Sequence, residues 1–497
     1  MAVALFRGPE AAPRKAPRPA PVAPPAFGGK RWWRPDVACL LTGYAALLLL
    51  IPARLVVPSV GGTGRPALLF GLGLLALWGA SRVVPYATTP GKNPMRRVLI
   101  VFGIVFLLTY AMGHGRGLPP IEGSAVDRNL IATASLLGVA LVAADGIPSR
   151  QRLDVLLKRV TVFGAVVGVI GALQFLVGVD LASMIKIPGL RLNANLYTIG
   201  ERGGPGFRRV SGTGGHPIEF GVLMAMMLPI AIHYALHGRS RRERLGRWLV
   251  LATMAVGVFF SISRSGVLAL AVVILVLGVA WAPSVKVNGL IVAVVGAVLL
   301  RAAVPGLLGT FRSLFLNAED DPSIEGRTND YEMLWGFVRD RPWFGRGPGT
   351  FIPDRYFTLD NQLLLTLVQQ GYLGLLALLA LYFVGMSVAR RVARRGGSDP
   401  SRHLGQSLMA AVAAGLIVTL TFDSLSFAQH SGYLFLVLGC IGALWRLERL
   451  GDSGRNRGRR PRVLKPWRSK EYPQPHPLER LVPDYAEEHR WRSPRPV

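Results

Sequence analysis

Cysteine and charged side chains are both scarce in this chain. Two of its 497 residues are cysteine and 17% are charged, whereas 51% are hydrophobic and the mean hydropathy is +0.38. Cys39 and Cys440 fall in the first and last apolar segments and belong to no spacing typical of a metal or redox site. A structural disulfide between them within lipid is not expected. The composition is that of a polytopic membrane protein.

Acidic residues are much fewer than basic ones. The chain has 28 Asp and Glu against 57 Lys and Arg, a formal net charge of +29. In a soluble protein this excess would indicate nucleic-acid binding, but no zinc-finger spacing or aromatic-rich basic stripe accompanies it. Much of the positive charge flanks apolar segments, which predicts anionic membrane lipids as partners and no nucleic acid.

The two ends of the chain are polar and irregular. Residues 1–34 are rich in Ala, Pro and Arg, too polar to cross a membrane and too long before the first apolar run for a secretory signal. Residues 452–497 are rich in Arg and Pro without periodicity, and no internal repeat is evident. We therefore predict disordered cytoplasmic tails at 1–34 and 452–497 and a transmembrane domain at 35–451.

Between the tails, about 12 apolar stretches are long enough to cross a bilayer. They lie at 37–57, 67–84, 98–113, 129–144, 160–179, 217–236, 248–262, 266–281, 288–304, 361–386, 405–423 and 430–446. These segments predict an all-α polytopic membrane protein of about 12 transmembrane helices.

Basic clusters indicate which side of the membrane each short connection faces. If the chain starts inside, these clusters all fall in cytoplasmic connections, as the positive-inside rule requires. The clusters are Lys92, Arg96 and Arg97; Arg150, Arg152, Lys158 and Arg159; Arg239, Arg241, Arg242, Arg244 and Arg247; and Arg390, Arg391, Arg394, Arg395 and Arg402. The pattern predicts a multi-pass protein of the cytoplasmic (inner) membrane with both termini in the cytoplasm.

The opposite, outer face also carries arginines, against the topological bias. They are Arg191, Arg202, Arg208, Arg209, Arg264, Arg312, Arg327, Arg339, Arg341, Arg346 and Arg355. The commonest reason for such arginines is an anionic ligand such as a phosphate. Two outer connections are long, at about 180–216 and 305–360. We expect the second, between spans 9 and 10, to form a structured cap with an amphipathic helix from Arg327 to Arg339.

A glycine-rich segment precedes the sixth span. Its glycines let backbone N–H groups turn toward an anion beside Arg208 and Arg209, and the helix N-terminus that follows adds positive potential. Pro217 suits the first helical position and Glu219 suits the first turn. His216 is a candidate catalytic residue here; the alternative is a helix cap after a flexible glycine turn.

A short polar turn from Ser261 to Gly266 joins the seventh and eighth spans at the outer surface and contains Arg264. A rigid hairpin is a suitable mount for a guanidinium group that binds a diphosphate. The alternative is that Arg264 extends to a lipid phosphate at the membrane surface. We favour the diphosphate, because the turn holds the arginine between two helices.

Asp360 stands where the second long outer connection meets the tenth span. A carboxylate there, among arginines, would stay ionised and could accept a proton from an attacking sugar hydroxyl as a general base. The alternative is a helix N-cap, since Asp satisfies free N–H groups at a helix start. Aromatic residues of the same connection are candidates to pack on sugar rings or to form an interfacial belt. They are Trp335, Trp343, Phe344, Phe351, Tyr356 and Phe357.

Several of these motifs together resemble the O-antigen ligase and polymerase family. They are Ser263-Arg264-Ser265-Gly266, the helix after Arg327, Arg341-Pro342-Trp343-Phe344-Gly345-Arg346-Gly347, and Asp360-Asn361 followed by Gly371-Tyr372-Leu373-Gly374-Leu375. The resemblance covers roughly residues 205–390 and rests on the order of the motifs across the large outer connection.

The resemblance implies a glycosyltransferase that acts outside the cytoplasmic membrane. Members of the family transfer a glycan from a polyprenyl-diphosphate carrier to an acceptor hydroxyl, with inversion and without a metal, so no cofactor is expected. In the ligases, outer-loop arginines hold the diphosphate and a histidine near the end of the large loop acts as base. The arginine roles would fall here on Arg209 and Arg264, with Arg208 and Arg327 beside them. Asp360 occupies the position of the histidine, a departure that leaves the base open.

The implied partners are a polyprenyl-diphosphate-linked oligosaccharide, a glycan or lipid acceptor and other polysaccharide-assembly proteins. Polymerase and ligase both remain as alternatives, and so do a transporter of a small anion and a flippase or scaffold of a glycan-assembly complex. A transporter is expected to have ionisable residues near the middle of its spans. The predicted spans contain little beyond Arg54 and Asp423 near their ends and Gln174, which favours the glycosyltransferase.

Overall fold

The computed structural model describes residues 36–83, 92–193, 200–201, 207–238, 240–316 and 333–458. Its helices, in chain order, are α1 (Val37–Leu49), α2 (Pro66–Val83), α3 (Pro94–His114), α4 (Pro120–Gly146), α5 (Arg150–Leu176), α6 (Leu181–Met184), α7 (Pro217–Leu236), α8 (Arg241–Phe260), α9 (Arg264–Ala280), α10 (Pro283–Ala303), α11 (Leu307–Leu316), α12 (333–340), α13 (Gln362–Arg395), α14 (Asp399–Val418) and α15 (Ala428–Gly458). Two antiparallel pairs of short strands accompany them: β1 (Leu55–Val56) with β2 (Arg191–Leu192), and β3 (Gly200–Glu201) with β4 (Arg208–Arg209). The described chain is mostly helical, as predicted.

A helix overlaps each predicted span. Seven of the described helices are long and apolar enough to cross a membrane, namely α2, α3, α4, α5, α7, α10 and α13. Helices α1 and α9 are apolar but shorter. A helical membrane protein is therefore confirmed, and the count of about 12 spans stays a prediction.

The first predicted span, 37–57, is wrong in its second half. Helix α1 ends at Leu49, and the chain continues through Pro52 into β1 and a short 3-10 helix, Pro58–Thr63. Proline has no N–H group to donate and has a fixed backbone angle, so the prolines end the helix within an apolar run. The pairing of β1 with β2 attaches this corner to the first of the two long connections predicted to face outward.

Helix α7 is the most deeply buried of the seven candidate spans. It packs against α8, α9 and α14. Because its sequence is apolar around the whole circumference, burial on all sides is expected. Helix α10 is the opposite case, since none of its residues is buried, as for a helix that faces lipid. The candidate site described below is built around the N-terminal end of α7.

Some predicted features lie outside the described residues. They include the tail at 1–34, Arg202 and Arg327. The described part of the helix predicted from Arg327 to Arg339 is α12. Helix α15 continues to Gly458, past the predicted start of the C-terminal tail, and residues 459–497 are outside the described range.

Candidate functional site

The long connection before α13 has a small hydrophobic core of its own. We call residues 333–361 the cap; its buried apolar side chains pack on the first turns of α13. The buried side chains of this core are Leu334, Val338, Phe351, Leu359, Leu367 and Val368. Phe351 stacks on Tyr356 with 4.8 Å between ring centroids, whereas Trp335 and Trp343 are exposed. The exposed rings, and not those of the core, are accessible to a sugar or to the membrane surface.

The cap is joined to α13 at a break in that helix. Gly371 has φ 65° and ψ −167°, which interrupts the helical hydrogen bonds. The cap supplies replacements: the N–H groups of Arg346 and Gly347 donate to carbonyl groups of α13 before the break, at 3.0 and 2.8 Å. In the other direction, the Tyr372 N–H donates to the Pro342 carbonyl at 2.8 Å. The backbone groups freed by the break are thus satisfied within the protein, as they must be beside lipid.

Two glycines make this close contact sterically feasible. A side chain on Gly345 would overlap the backbone of Gln369 and Gln370, and one on Gly371 would overlap the backbone of Trp343. Both glycines also have positive φ, which other residues rarely adopt. Two of the sequence motifs that carry the family resemblance, the one in the cap and the one in α13, therefore form a single structural unit.

Gly345→Ala is expected to destabilise the protein by about 2 kcal/mol or more, because the new methyl group forces the cap away from α13. The matched control is Gly336→Ala in α12, where a Cβ would meet no atom within 4 Å and alanine is the better helix former. Thermal unfolding of the purified proteins in detergent measures both effects. Equal midpoints for the two variants would contradict the docking described here.

A buried carboxylate of α4 anchors the cap. Glu122 is 1% exposed; it accepts hydrogen bonds from Arg116 and, at 2.9 Å, from the Tyr356 hydroxyl, and Arg355 lies at 3.3 Å. The Tyr356 hydroxyl in turn accepts a hydrogen bond from Arg346 at 2.7 Å. Arg355 thus has an anionic partner within the protein, and Arg346 is linked to the same carboxylate through the Tyr356 hydroxyl, so neither arginine needs a phosphate ligand to account for it.

Arg208 and Arg209 have different environments although they are adjacent. They form β4, and successive side chains of a strand point to opposite faces. Arg209 is 8% exposed, whereas Arg208 is exposed and its guanidinium group lies against Gly178. Of this pair, Arg209 is the arginine directed into the protein.

Three stacked aromatic rings join the chain segment that bears Arg209 to the one that bears Arg264. Phe175, at the end of α5, stacks on Phe207 with 6.2 Å between centroids and on Phe260 with 4.3 Å. Phe207 immediately precedes β4, which ends in Arg209, and Phe260 ends α8, directly before the hairpin that carries Arg264. The stack therefore brings the two backbone segments that bear these arginines together at one end of the bundle.

Arg264 begins α9 at a tight hairpin between α8 and α9. Ile262 has φ +44°, an unusual value for a β-branched residue. The Ser263 side chain caps α9 by accepting a hydrogen bond from a backbone N–H of its first turn, at 3.3 Å. The hairpin packs on Gly221 of α7, where a side chain would overlap Ser261. The turn that bears Arg264 is thus conformationally constrained and packs against α7.

His216 caps α7, which matches the helix-cap alternative. Its Nδ1 accepts a hydrogen bond from the Ile218 N–H at 3.2 Å, and Pro217 takes the first helical position as predicted. A nitrogen that accepts this bond carries no proton, so the neutral ring has its proton on Nε2. This tautomer suits His216 to donate a hydrogen bond to an anion rather than to accept a proton.

Glu219 is the centre of a buried polar network, beyond its predicted place in the first turn of α7. It is 1% exposed and accepts hydrogen bonds from the N–H groups of Gly215 at 2.7 Å and Gln429 at 2.6 Å. Arg65, just before α2, is close enough to interact with it electrostatically. The Gln429 side chain donates to Thr213 at 3.0 Å. This network holds the glycine-rich segment against the start of α15.

The alternative that Asp360 caps α13 is wrong. The cap residue is Asn361, whose side-chain oxygen accepts hydrogen bonds from the N–H groups of Leu363 and Leu364 at 3.0 and 3.2 Å. Asn and Asp are comparable N-cap residues. Asn361 has this role, and not Asp360, because the helix begins at Gln362. Asp360 is half-buried, and α13 does not need its side chain as a cap.

The connection between α14 and α15, residues 419–427, lies between His216 and the start of α13. The Gln362 N–H donates to the Thr419 carbonyl at 2.7 Å, and the Gln362 side chain accepts from the Leu425 N–H at 2.8 Å. At the other end of the connection, its last residue, a phenylalanine, has its ring 5.8 Å from the His216 ring. His216 and the Asp360 segment therefore border the same connection.

A second carboxyl group, Asp423, lies in this connection beside Asp360. Helix α14 ends at Val418, so Asp423 lies outside the helix that was expected to contain it. Burial raises the pKa of Asp423 to about 6; a hydrogen bond with Ser426 opposes this rise, and the charge of Asp360 adds to it. The two carboxyl groups are thus electrostatically coupled, an arrangement that their separation in sequence did not suggest.

These features define a helical membrane protein with a structured cap that packs on α13 and is anchored to α4. Residues 249–379 match the family model described as O-antigen ligase. The match spans Arg264, the cap and Asp360, and it confirms the resemblance to the O-antigen ligase and polymerase family. No curated protein matches the chain. The family implies glycosyl transfer with polysaccharide and lipid-linked substrates.

Proposed function

We propose that the protein transfers a glycan from a polyprenyl-diphosphate carrier to an acceptor hydroxyl at the outer face of the cytoplasmic membrane. In this proposal the transfer inverts the sugar configuration and needs no metal. The observation that carries the proposal is the convergence of the Arg209 and Arg264 segments beside the N-terminal end of α7. A lipid-linked donor presents its diphosphate at the membrane surface, which is where the predicted topology puts these helix ends.

The two arginines supply the charge that this reaction requires. When the glycosidic bond breaks, its electron pair goes to the diphosphate oxygen, which becomes more negative. Guanidinium groups that are already positioned in a low-dielectric site stabilise that charge more in the transition state than in the ground state. The N-terminal ends of α7 and α9 add positive potential, and His216 Nε2 is suited to donate a further hydrogen bond.

Asp360 is the proposed general base. The acceptor hydroxyl attacks the anomeric carbon while its proton passes to a carboxylate within hydrogen-bond distance. Asp423 supports this role, because it lies close enough to Asp360 for the charges of the two carboxyl groups to interact. A carboxylate pair would thereby perform the task that a histidine performs in the ligases of the family.

The location of buried ionisable groups does not favour transport. In the described spans, the buried carboxylates and imidazoles stand in first or last turns: Glu122 in α4, Glu219 and His233 in α7, and His430 in α15. Transporters hold substrates and ions near the middle of the bilayer. The described residues therefore support chemistry at the bundle end more than passage through its centre.

The side of the membrane that each segment faces is testable by cysteine labelling. Cys39 is partly exposed and is first replaced by serine, whereas Cys440 is buried and can stay. Thr358→Cys in the cap should react with a membrane-impermeant maleimide on intact spheroplasts, because residue 358 is exposed. Asp399→Cys at the start of α14, where the side chain is 80% exposed, should react only after lysis. The reverse pattern would put the cap in the cytoplasm and contradict the proposal.

The reaction itself is tested with purified protein in lipid vesicles and a polyprenyl-diphosphate oligosaccharide. The expected result is release of polyprenyl diphosphate together with glycan transfer, in the presence of a chelator. A ladder of repeat lengths identifies a polymerase, and a single increase in acceptor mass identifies a ligase. Intact donor after incubation with candidate acceptors, with correctly folded protein, would contradict the proposal.

A further inference from the structure

Three histidines meet at the end of α7 opposite His216. His233 lies in the last turn of α7, His237 follows that helix as its C-cap, and His403 lies in the first turns of α14. Their ring centroids are 4.6, 5.2 and 5.1 Å apart. One nitrogen from each ring lies within 4.8 Å of the other two. The spacing of four residues puts His233 and the C-cap residue His237 on one face at the end of α7, and the neighbouring helix supplies the third imidazole.

The distance between the two most closely placed nitrogens fits ligands that share one ion. His233 Nδ1 and His403 Nδ1 are 3.1 Å apart. Two nitrogens bound to one tetrahedral zinc at the usual bond length would be about 3.3 Å apart. His403 Nε2 is buried and has no hydrogen-bond partner among the described residues, so this ring has a further unsatisfied nitrogen. Protein hydrogen bonds alone therefore leave the cluster incompletely satisfied.

The third ring is held in a tautomer that can bind a metal. His237 Nδ1 lies 2.9 Å from the carbonyl oxygen of His233. A carbonyl can only accept, so Nδ1 carries the proton and Nε2 has a lone pair. A histidine that binds a metal through one nitrogen commonly donates a hydrogen bond from the other to a carbonyl or carboxylate.

Neighbouring cations do not exclude a bound cation. Arg150 and Lys158 are close enough to act on His233 electrostatically. Each has a carboxylate partner: Arg150 pairs with Asp154 at 3.1 Å and Lys158 with Glu243 at 3.0 Å. These pairs offset the repulsion that a divalent ion would otherwise experience.

We propose that His233, His237 and His403 bind one divalent transition-metal ion, Zn²⁺ in the cell, which links α7 to α14. Imidazole nitrogens are good ligands for this class of ion, and three of them leave one position for water. Helix α7 then has the proposed glycan-transfer site at one end and a metal link at the other, about 30 Å away. The link would fix α7 within the bundle and is independent of the transfer chemistry.

The test uses full-length protein in lipid nanodiscs, purified without a polyhistidine tag and stripped with a chelator. After dialysis against Zn²⁺, elemental analysis should find one zinc per chain, and Co²⁺ should give the visible absorption of a tetrahedral site. His237→Gln should weaken binding by about 100-fold or more. His114→Gln is the matched control, because His114 is a partly exposed histidine in another part of the protein, and it should bind as the wild type does.

A second comparison separates binding from folding. His403→Cys keeps a ligand atom and should retain zinc, whereas His403→Gln should lose it. Zinc should raise the midpoint of thermal unfolding of the wild type and of His114→Gln, but not that of His237→Gln. Less than about 0.1 equivalent of zinc on the wild type, or equal affinity of the wild type and His237→Gln, would overturn the proposal.

Discussion

Arg264→Ala is expected to lower kcat/KM for glycan transfer about 100-fold or more, with little change in protein level or thermal midpoint. The guanidinium group is held at a rigid hairpin, so its loss removes a preplaced charge from the leaving diphosphate without disturbing the bundle. Arg264→Lys keeps the charge but not the planar pair of donors, and it should recover only part of the activity. Initial rates with a polyprenyl-diphosphate oligosaccharide measure both variants.

The matched control for this experiment is Arg312→Ala. Arg312 lies on the predicted outer face in α11 and is exposed, so its removal should leave the rate near that of the wild type. Arg209→Lys should also lower the rate, since Arg209 is the buried member of its pair. If Arg264→Ala and Arg312→Ala had the same kcat/KM as the wild type, the assignment of the diphosphate site would be wrong.

Asp360→Asn is expected to lower kcat about 100-fold or more, because an amide cannot take the proton of the acceptor hydroxyl. The substitution is sterically conservative, and the N-cap residue of helix α13 is Asn361 rather than Asp360, so folding should be preserved. Asp354→Asn is the control, since Asp354 is an exposed carboxylate within residues 333–361, the cap segment that also contains Asp360. A wild-type rate for Asp360→Asn at saturating donor would exclude Asp360 as the base.

The carboxyl group of Asp423, which interacts with that of Asp360, is expected to make the rate of glycan transfer depend on pH. The pKa of Asp423 is raised to about 6, chiefly by burial. Asp423 is therefore ionised above that pH and protonated below it, and protonation removes a negative charge beside the proposed base. The rate should fall as the pH decreases through about 6.

Asp423→Asn tests this dependence. It should lower the rate at pH 7.5 about tenfold and remove the inflection near pH 6, because the amide resembles the protonated carboxyl group at every pH. Asp354→Asn should keep the inflection. An unchanged pH profile in Asp423→Asn would show that this carboxyl group does not take part in the reaction.

Apolar length and the location of arginines were sufficient to predict a helical membrane protein, because both depend on local composition. A helix is present at every predicted span, and Pro217, Glu219 and the hairpin at Arg264 occupy the local positions expected of them. The first span is the exception: a run that is apolar enough for lipid does not form a helix when prolines remove its hydrogen bonds. Element boundaries of this kind depend on backbone geometry as well as on hydropathy.

Roles that depend on distant partners could not be predicted. Glu219 belongs to the same local pattern as any first-turn acid, and only its contacts with α15 reveal a buried network. The whole family-matched region lies between the histidines at the end of α7 and His403 in α14, so no spacing rule connects them. The coupling of Asp423 to Asp360 likewise arises because the connection 419–427 folds back onto the start of α13.

The sequence by itself determined that the protein is a helical membrane protein with a helix at each apolar segment. Tertiary structure alone decided what surrounds each arginine: Arg355 lies beside Glu122 and Arg346 bonds to Tyr356, while Arg209 and Arg264 come from segments joined by stacked rings. The reason is physical. A guanidinium group carries the same charge wherever it occurs, and its role follows from which anion lies within hydrogen-bond distance, a property that only the folded chain specifies.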